Sequence, residues 1–206
     1  MANPASAPKL VSAALVVIPQ QGSTKTIEFT INPDAMHRTL TPRLVGGEQD
    51  ERSLAVRYTG APRENITITV LLDATDKLNK GDPNAIAYGI LPDLETLELL
   101  VFPSTTQVKQ NIEKLQQGQL EIAPNLAPLI LFTWGKNRTW PVILESYTLS
   151  EELFDGKLNP IRAYLTLSMR VLTYTDLAPG TTGYNDYLRH LATMRRIAGK
   201  FGQKGG

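Results

Sequence analysis

The chain is expected to be a mainly β (α+β) protein: an antiparallel β fold flanked by short helices and followed by a C-terminal helix. Three observations predict this. From Pro128 to Thr173, three strand-like runs are separated by two turn signals, Trp134-Gly135-Lys136-Asn137-Arg138 and Phe154-Asp155-Gly156-Lys157-Leu158-Asn159-Pro160. The last run alternates, with Ala163, Leu165, Leu167, Met169 and Val171 on one side and Tyr164, Thr166, Ser168 and Arg170 on the other. That period of two marks a strand with one buried and one wet face. Between Pro92 and Gly118 the apolar period becomes helical.

Each element follows from local chemistry. Leu129-Ile130-Leu131-Phe132 is continuously apolar, the pattern of a strand covered on both faces. The Gly/Asn and Asp-Gly turns on either side of the second run make the three runs an antiparallel meander. Lys9 to Ile18 reads as a strand closed by Pro19, and Thr26 to Ile31 as its hairpin partner with Ile27, Phe29 and Ile31 inward. Asn32-Pro33 ends that strand, because proline cannot donate to a ladder and pushes the residue before it out of the helical region. Residues 34–62 read as a long loop with a short edge strand near Ser53 to Tyr58; it is either a surface loop or a cover for a neighbouring subunit. Glu64 to Asp73 alternates cleanly and ends in an acidic turn.

Pro92 suits the first turn of a helix carrying Leu94, Leu97, Leu100 and Val101 on one face. Ser104 is placed to cap a second helix, with Val108, Ile112 and Leu115 inward and Gly118 at its end. Residues 119–127 read as a linker. After Thr173, a Pro/Gly/Thr-rich linker leads to an amphipathic helix from Tyr184 to Ala198. Tyr184, Tyr187, Leu188, Leu191 and Met194 lie near one face, with Arg189, His190, Arg195 and Arg196 on the other. Such a helix either packs on its own domain or docks on a partner. Its candidate docking residues are Tyr184, Tyr187, Leu188, Leu191, Arg195 and Arg196. The expected organisation is a mobile leader at 1–8, a β domain over 9–175 with a helical insert near 92–118, and a linker with a basic helix over 176–206.

Composition removes whole classes of function. With 206 residues, 42% of them hydrophobic and 20% charged, the chain can build an ordinary globular core. A formal charge of +1 steers it toward neither nucleic acid nor anionic lipid. Without cysteine there are no disulfides, thiolate metal sites or Cys nucleophiles. The first residues lack a basic stretch followed by an apolar one, and the run from Leu10 to Ile18 is too short to cross a bilayer. Cytoplasmic synthesis without membrane insertion is the expectation.

Reactive constellations are equally sparse. His37 and His190 are the two histidines, too few for a His-based metal site. No nucleophile elbow or phosphate-binding glycine loop occurs. No metal or other cofactor is expected, and no enzyme activity. Asp73, Asp76 and Asp82 lack the spacing of a calcium loop and read as turn residues. Glu151-Glu152 reads as a solvated turn rather than half of a glycosidase pair with Glu145. The sequons at Asn65 and Asn137 read as chance. Trp134 and Trp140 flank a hairpin, where cross-strand packing competes with stacking on a sugar.

Several motifs carry a resemblance. Phe29-x-x-Asn32-Pro33, Phe132-Thr133-Trp134-Gly135, Glu145-Ser146-Tyr147, Leu153-Phe154-Asp155-Gly156 and Pro160-Ile161-Arg162-Ala163 resemble the signature of the contractile injection system tube-protein family over roughly residues 25–175. The resemblance implies an antiparallel tail-tube-like β-barrel and a structural role in a phage-tail-like particle, assembled in the cytoplasm. Copies would form a hexameric ring that initiates the inner tube or joins it to the spike and baseplate hub. Inner-tube, spike and baseplate proteins would be its partners. Asn32, Pro33, Trp134, Gly135, Phe154, Asp155, Pro160, Arg162 and Ala163 would be structural signature residues. Family members often continue into a LysM module where this sequence stops, so glycan binding through LysM is not expected. The other reading is a monomeric glycan- or protein-binding β module, which native mass spectrometry separates from a ring.

Overall fold

A computed structural model describes residues 13–19, 23–29, 31–45, 57–118 and 127–201. The strands are β1 (Ala14–Ile18), β2 (Lys25–Glu28), β3 (Met36–Thr41), β4 (Leu44–Val45), β5 (Arg57–Tyr58), β6 (Arg63–Asp73), β7 (Leu129–Trp134), β8 (Arg138–Phe154) and β9 (Pro160–Val171). The helices are α1 (Thr75–Asn79), α2 (Pro83–Tyr88), α3 (Leu91–Glu98), α4 (Thr105–Gln116) and α5 (Thr182–Ala198). Seven strands make one antiparallel sheet in the order β2-β1-β7-β8-β9-β6-β3, while β4 and β5 pair separately.

The expected meander sits at the centre of that sheet. β9 lies between β8 and β6, and its alternation does what period two requires. Ala163, Leu165, Leu167 and Met169 are buried opposite Leu72, Val70, Ile68 and Ile66 of β6 in direct register. β7 departs from expectation: Ile130 and Phe132 are buried, but Leu129 and Leu131 are only half covered. Its run is apolar on both faces, yet one face alone reaches the core.

The expected closed barrel is not formed by the described residues, because β2 and β3 remain at opposite edges of an open sheet. Across the core face, Arg38 of the edge strand β3 nevertheless reaches over the Trp140 ring of β8, three strands along the sheet, at 5.1 Å. A bulge between Leu144 and Ser146 helps β8 bend. Between β2 and β3, Asn32 and Pro33 take the chain out of the ladder. The Asn32 side chain accepts a hydrogen bond from the Ala13 backbone N–H at 2.8 Å. Leaving the sheet there also explains why Phe29 is buried but Ile31, expected inward, is exposed.

Other expectations shift. The loop over 34–62 contains a true edge strand, β3, paired with β6 over six residues. Of the strand expected near Ser53–Tyr58, Arg57–Tyr58 form β5, and residues 46–56 lie outside the described residues. So do the leader at 1–8, residues 9–12 of the first expected strand, and residues 119–126 of the expected linker. Two short helices, α1 and α2, fill the stretch after the acidic turn; Asp82 caps α2 through the Asn84 and Ala85 N–H groups. In α3, Leu94 and Leu97 are buried and Leu100 follows them, but Val101 is exposed.

α4 begins as the sequence predicts, with Ser104 and Gln107 forming a reciprocal capping box. It does not pack as predicted. Val108, Ile112 and Leu115 are 41%, 48% and 49% exposed, and the helix has no buried residue. α5 starts at Thr182, capped by the Thr181 hydroxyl, and buries Gly183, Asp186, Tyr187 and His190. The buried face is therefore rotated from the expected one. Leu188 and Met194 point outward, and His190, expected on the charged side, is inside.

Candidate assembly surfaces

The later part of the signature, from Phe154 to Ala163, converges on one structural junction. The carboxylate of Asp155 closes the β8–β9 turn by accepting from the Lys157 N–H at 2.7 Å, the Asn159 N–H at 2.8 Å and the Asn159 side-chain amide at 2.8 Å. These bonds hold its pKa below the usual carboxylate value, those from Asn159 contributing most. Asn159 donates on to the Ala87 carbonyl of α2. The Pro160 carbonyl accepts from the Ile90 N–H at 2.8 Å, at the entry to α3. Gly89 sits against that carbonyl so closely that a Cβ would lie 2.1 Å from its oxygen, and its φ of +62° is one that glycine favours. One hairpin turn thus fastens the helical layer to the sheet.

The next two signature residues extend the junction. Arg162 donates from Nε to Asp73 Oδ2 at 2.7 Å, across a register pair of β9 and β6. Burial would raise the Asp73 pKa, but hydrogen bonds from Thr75 and Arg162 outweigh it and lower the value. Ala163 is fully buried between Leu72 and Glu151, where a larger side chain would have no room. At the other hairpin, Gly135 has φ +66° and starts the turn to β8, while Trp134 packs edge-on against Phe132. Trp134 and Gly135 are not brought to the Asp155–Arg162 junction, and neither is Asn32-Pro33; each serves its own turn.

Trp140 is fully buried and stacked on Phe132, its register partner, with ring centroids 5.7 Å apart. It cannot stack on a sugar. Arg38 lies over its ring at 5.1 Å and pairs with the buried Glu64. His190 of α5 contacts the same indole at 5.1 Å, and neither of its ring nitrogens has a hydrogen-bond partner. Burial, with the nearby Arg38 and Arg138 cations, lowers the His190 pKa below 6.5.

The other face of the sheet's β6–β9–β8 half is polar. Thr67, Thr69, Thr166, Ser168, Ser146 and Thr148 share it, and Thr69 and Thr166 bond through their hydroxyls at 3.1 Å. Its charges neutralise one another locally: Glu145 meets Arg63 and Arg170, and Asp176 meets Arg170. Glu145 is thus an ion-pair partner, and Glu151 and Glu152 stand exposed on β8 at a bulge rather than in a turn.

Besides the α4 stripe, other apolar side chains remain uncovered. The β8–β9 tip exposes Leu153, Phe154 and Leu158, the last at 79% exposure and with φ +66°. Elsewhere, an open groove of about 980 Å³ has a mixed lining, with Leu100, Val101, Phe102, Pro128 and Ile143 beside Ser104, Thr106, Gln107, Gln110 and the charged Glu145. Among the described residues no group of three His, Asp or Glu side chains is placed to hold a metal ion, and no helix is long and apolar enough to cross a membrane.

Among the described residues, the antiparallel sheet keeps two open edges, a hydroxyl-rich face and exposed apolar side chains, surfaces suited to contact with other chains. The contractile injection system tube protein family matches residues 14–176, and the chain belongs to it. The match begins at the first residue of β1 and ends before α5. A chain from the solved structure titled "Virion of native gene transfer agent (GTA) particle" is 10% identical, with 77% of this chain and 90% of that chain covered and a TM-score of 0.30. At that score the likeness supports no argument. Comparison with curated proteins finds no match.

Proposed function

We propose that this tube-family protein is a structural component of a contractile injection system that forms a ring, probed most simply as a hexamer, at the start of the inner tube or between tube and spike hub. The observation that carries the adaptor role is α5. It lies outside the family match, yet it is packed onto the sheet through Tyr187 and His190. Leu188, Arg195 and Arg196 face away from that contact and are exposed, so the helix is held rigidly with a surface left over for a non-identical partner. A repeating tube subunit needs no such addition.

The polar face supports the same reading. Its hydroxyls and locally cancelled charges suit a hydrated channel through which cargo passes without adhering. Assembly in the cytoplasm with inner-tube, spike and baseplate proteins of the same particle completes the proposal. The test is to mix the protein with purified spike and tube proteins, with and without residues 180–206. Spike binding lost on that deletion supports the adaptor role. Stacking on tube alone, indifferent to the deletion, refutes it.

A further inference from the structure

We infer that α5 is an acid-released strap: protonation of His190 lets the helix leave the sheet while the sheet itself stays folded. The centre of the α5 contact is polar and unpaired. His190 is 8% exposed and Trp140 fully buried, with their rings 5.1 Å apart. Neither Nδ1 nor Nε2 of His190 has a hydrogen-bond partner, and Trp140 Nε1 has none either. Buried polar atoms without partners weigh against the docked helix, and water satisfies them as soon as the contact opens. The rest of the contact is modest. Gly183 lies against Leu129 and Leu177, where a Cβ would stand 3.0 Å and 3.2 Å from their side chains. Tyr187 meets Tyr174, and Leu191 packs on the core. Beyond Leu191 no residue of α5 is buried.

A proton on His190 would meet two cations and no acceptor. Burial disfavours the imidazolium most, and Arg38 of β3, which lies over the same indole, and Arg138 at the start of β8 add to it. The carboxylates around the helix already have partners. Glu64 of β6 accepts from Arg38 at 2.6 Å, and Asp186 of α5 pairs with Arg189. Asp176, in the segment leading to α5, accepts from Thr173 and Arg170. None of the three bonds the imidazole. β7 carries no charged side chain, and Tyr187, its pKa raised by burial, stays neutral. Released into water, the imidazole regains its ordinary basicity, so acid pulls the helix off. One proton taken up per opening sets the size: the released fraction rises by about tenfold between about pH 7.5 and about pH 5.5. The sheet need not follow. α5 lies beyond the family match at 14–176 and is joined to β9 by residues 172–181, with Pro179 and Gly180. Parts of a fold with so few shared contacts open separately. The device belongs to the chain alone and holds whether or not α5 meets a non-identical partner.

Hydrogen–deuterium exchange on the full chain, corrected for the intrinsic rate at each pH, reads the release. From about pH 7.5 to about pH 5.5, protection over residues 182–198 should fall by about tenfold while β9 amides change by less than about twofold. His190→Leu keeps an apolar contact with Trp140 and removes two unpaired nitrogens. Its α5 should be protected at least as well as the parent's at the higher pH and lose nothing at the lower one. A second variant at an exposed position, Arg138→Glu, exchanges one of the two cations for a carboxylate, and its fall should shrink or reverse. Parent α5 protection that does not fall overturns the strap. So does β9 falling in step with α5, which would make the opening global. A fall in either variant as large as the parent's overturns His190 as the trigger.

Discussion

At the scale of single residues, the junction below the β8–β9 turn is where small changes should cost most. Gly89→Ala would place a methyl carbon 2.1 Å from the Pro160 carbonyl oxygen at a φ of +62°. Backbone cannot yield as a flexible side chain can, so a loss of about 3 kcal/mol or more is expected, read as a lowered urea midpoint at unchanged slope. Trp140→Ala should cost about 3–5 kcal/mol, because a fully buried indole leaves a cavity among Phe132, Arg38 and His190. A loss near 1 kcal/mol would mean that the indole is not the centre of that cluster. His190 links the same cluster to pH. Its folded pKa lies below 6.5, so the unfolded chain binds more protons as pH falls. Stability is full above 6.5 and declines as pH drops through and below that value, toward the folded pKa. Comparing urea midpoints at about pH 7.5 and about pH 5.5 checks this, and His190→Gln should flatten the difference. Asp73 and Asp176, both lowered, act in a separate window: their contribution is present above 3.8 and lost below it.

At the scale of elements, helices differ in what their sequence can reveal. Capping is local, so Ser104 and Gln107 announce the start of α4 and Gly118, with φ +77°, its end. Packing is not local. The spacing of Val108, Ile112 and Leu115 defines a stripe without saying what lies under it, and here the chain's own sheet does not. Ile112→Ser should accordingly change monomer stability by less than about 1 kcal/mol in chemical denaturation; a larger loss would mean that α4 is held by its own domain. The rotated face of α5 has a similar cause. A reader of the sequence assigns His190 to the wet side, and only the contact with Trp140 on a distant strand draws it inward. β3 was hard to read because an edge strand with the sequence MHRTLT is mostly exposed. α1 and α2, of five and six residues, are too short to show a period. The central meander was legible because alternation, turn chemistry and register all follow from neighbours in sequence. The signature residues were legible as turns. That Asp155, Asn159 and Pro160 also bind α2 and α3 was not, since no short-range pattern encodes a partner some 70 residues away.

At the scale of the whole molecule, the open sheet bears on how copies would join. Among the described residues β2 and β3 each leave one side unpaired, and in a monomer such edges invite unwanted association. A ring turns that liability into a joint if each chain covers its neighbour's edge. Hydrogen–deuterium exchange separates edge pairing from mere proximity. In the monomer, β9 amides are flanked by strands on both sides and should exchange slowly, whereas β3, paired among the described residues with β6 alone, has outward amides that should exchange quickly. On assembly, β9 should hardly change and residues 36–41 should slow by about tenfold or more. Assembly with exchange over residues 36–41 unchanged would show that this edge is not completed by a sister chain.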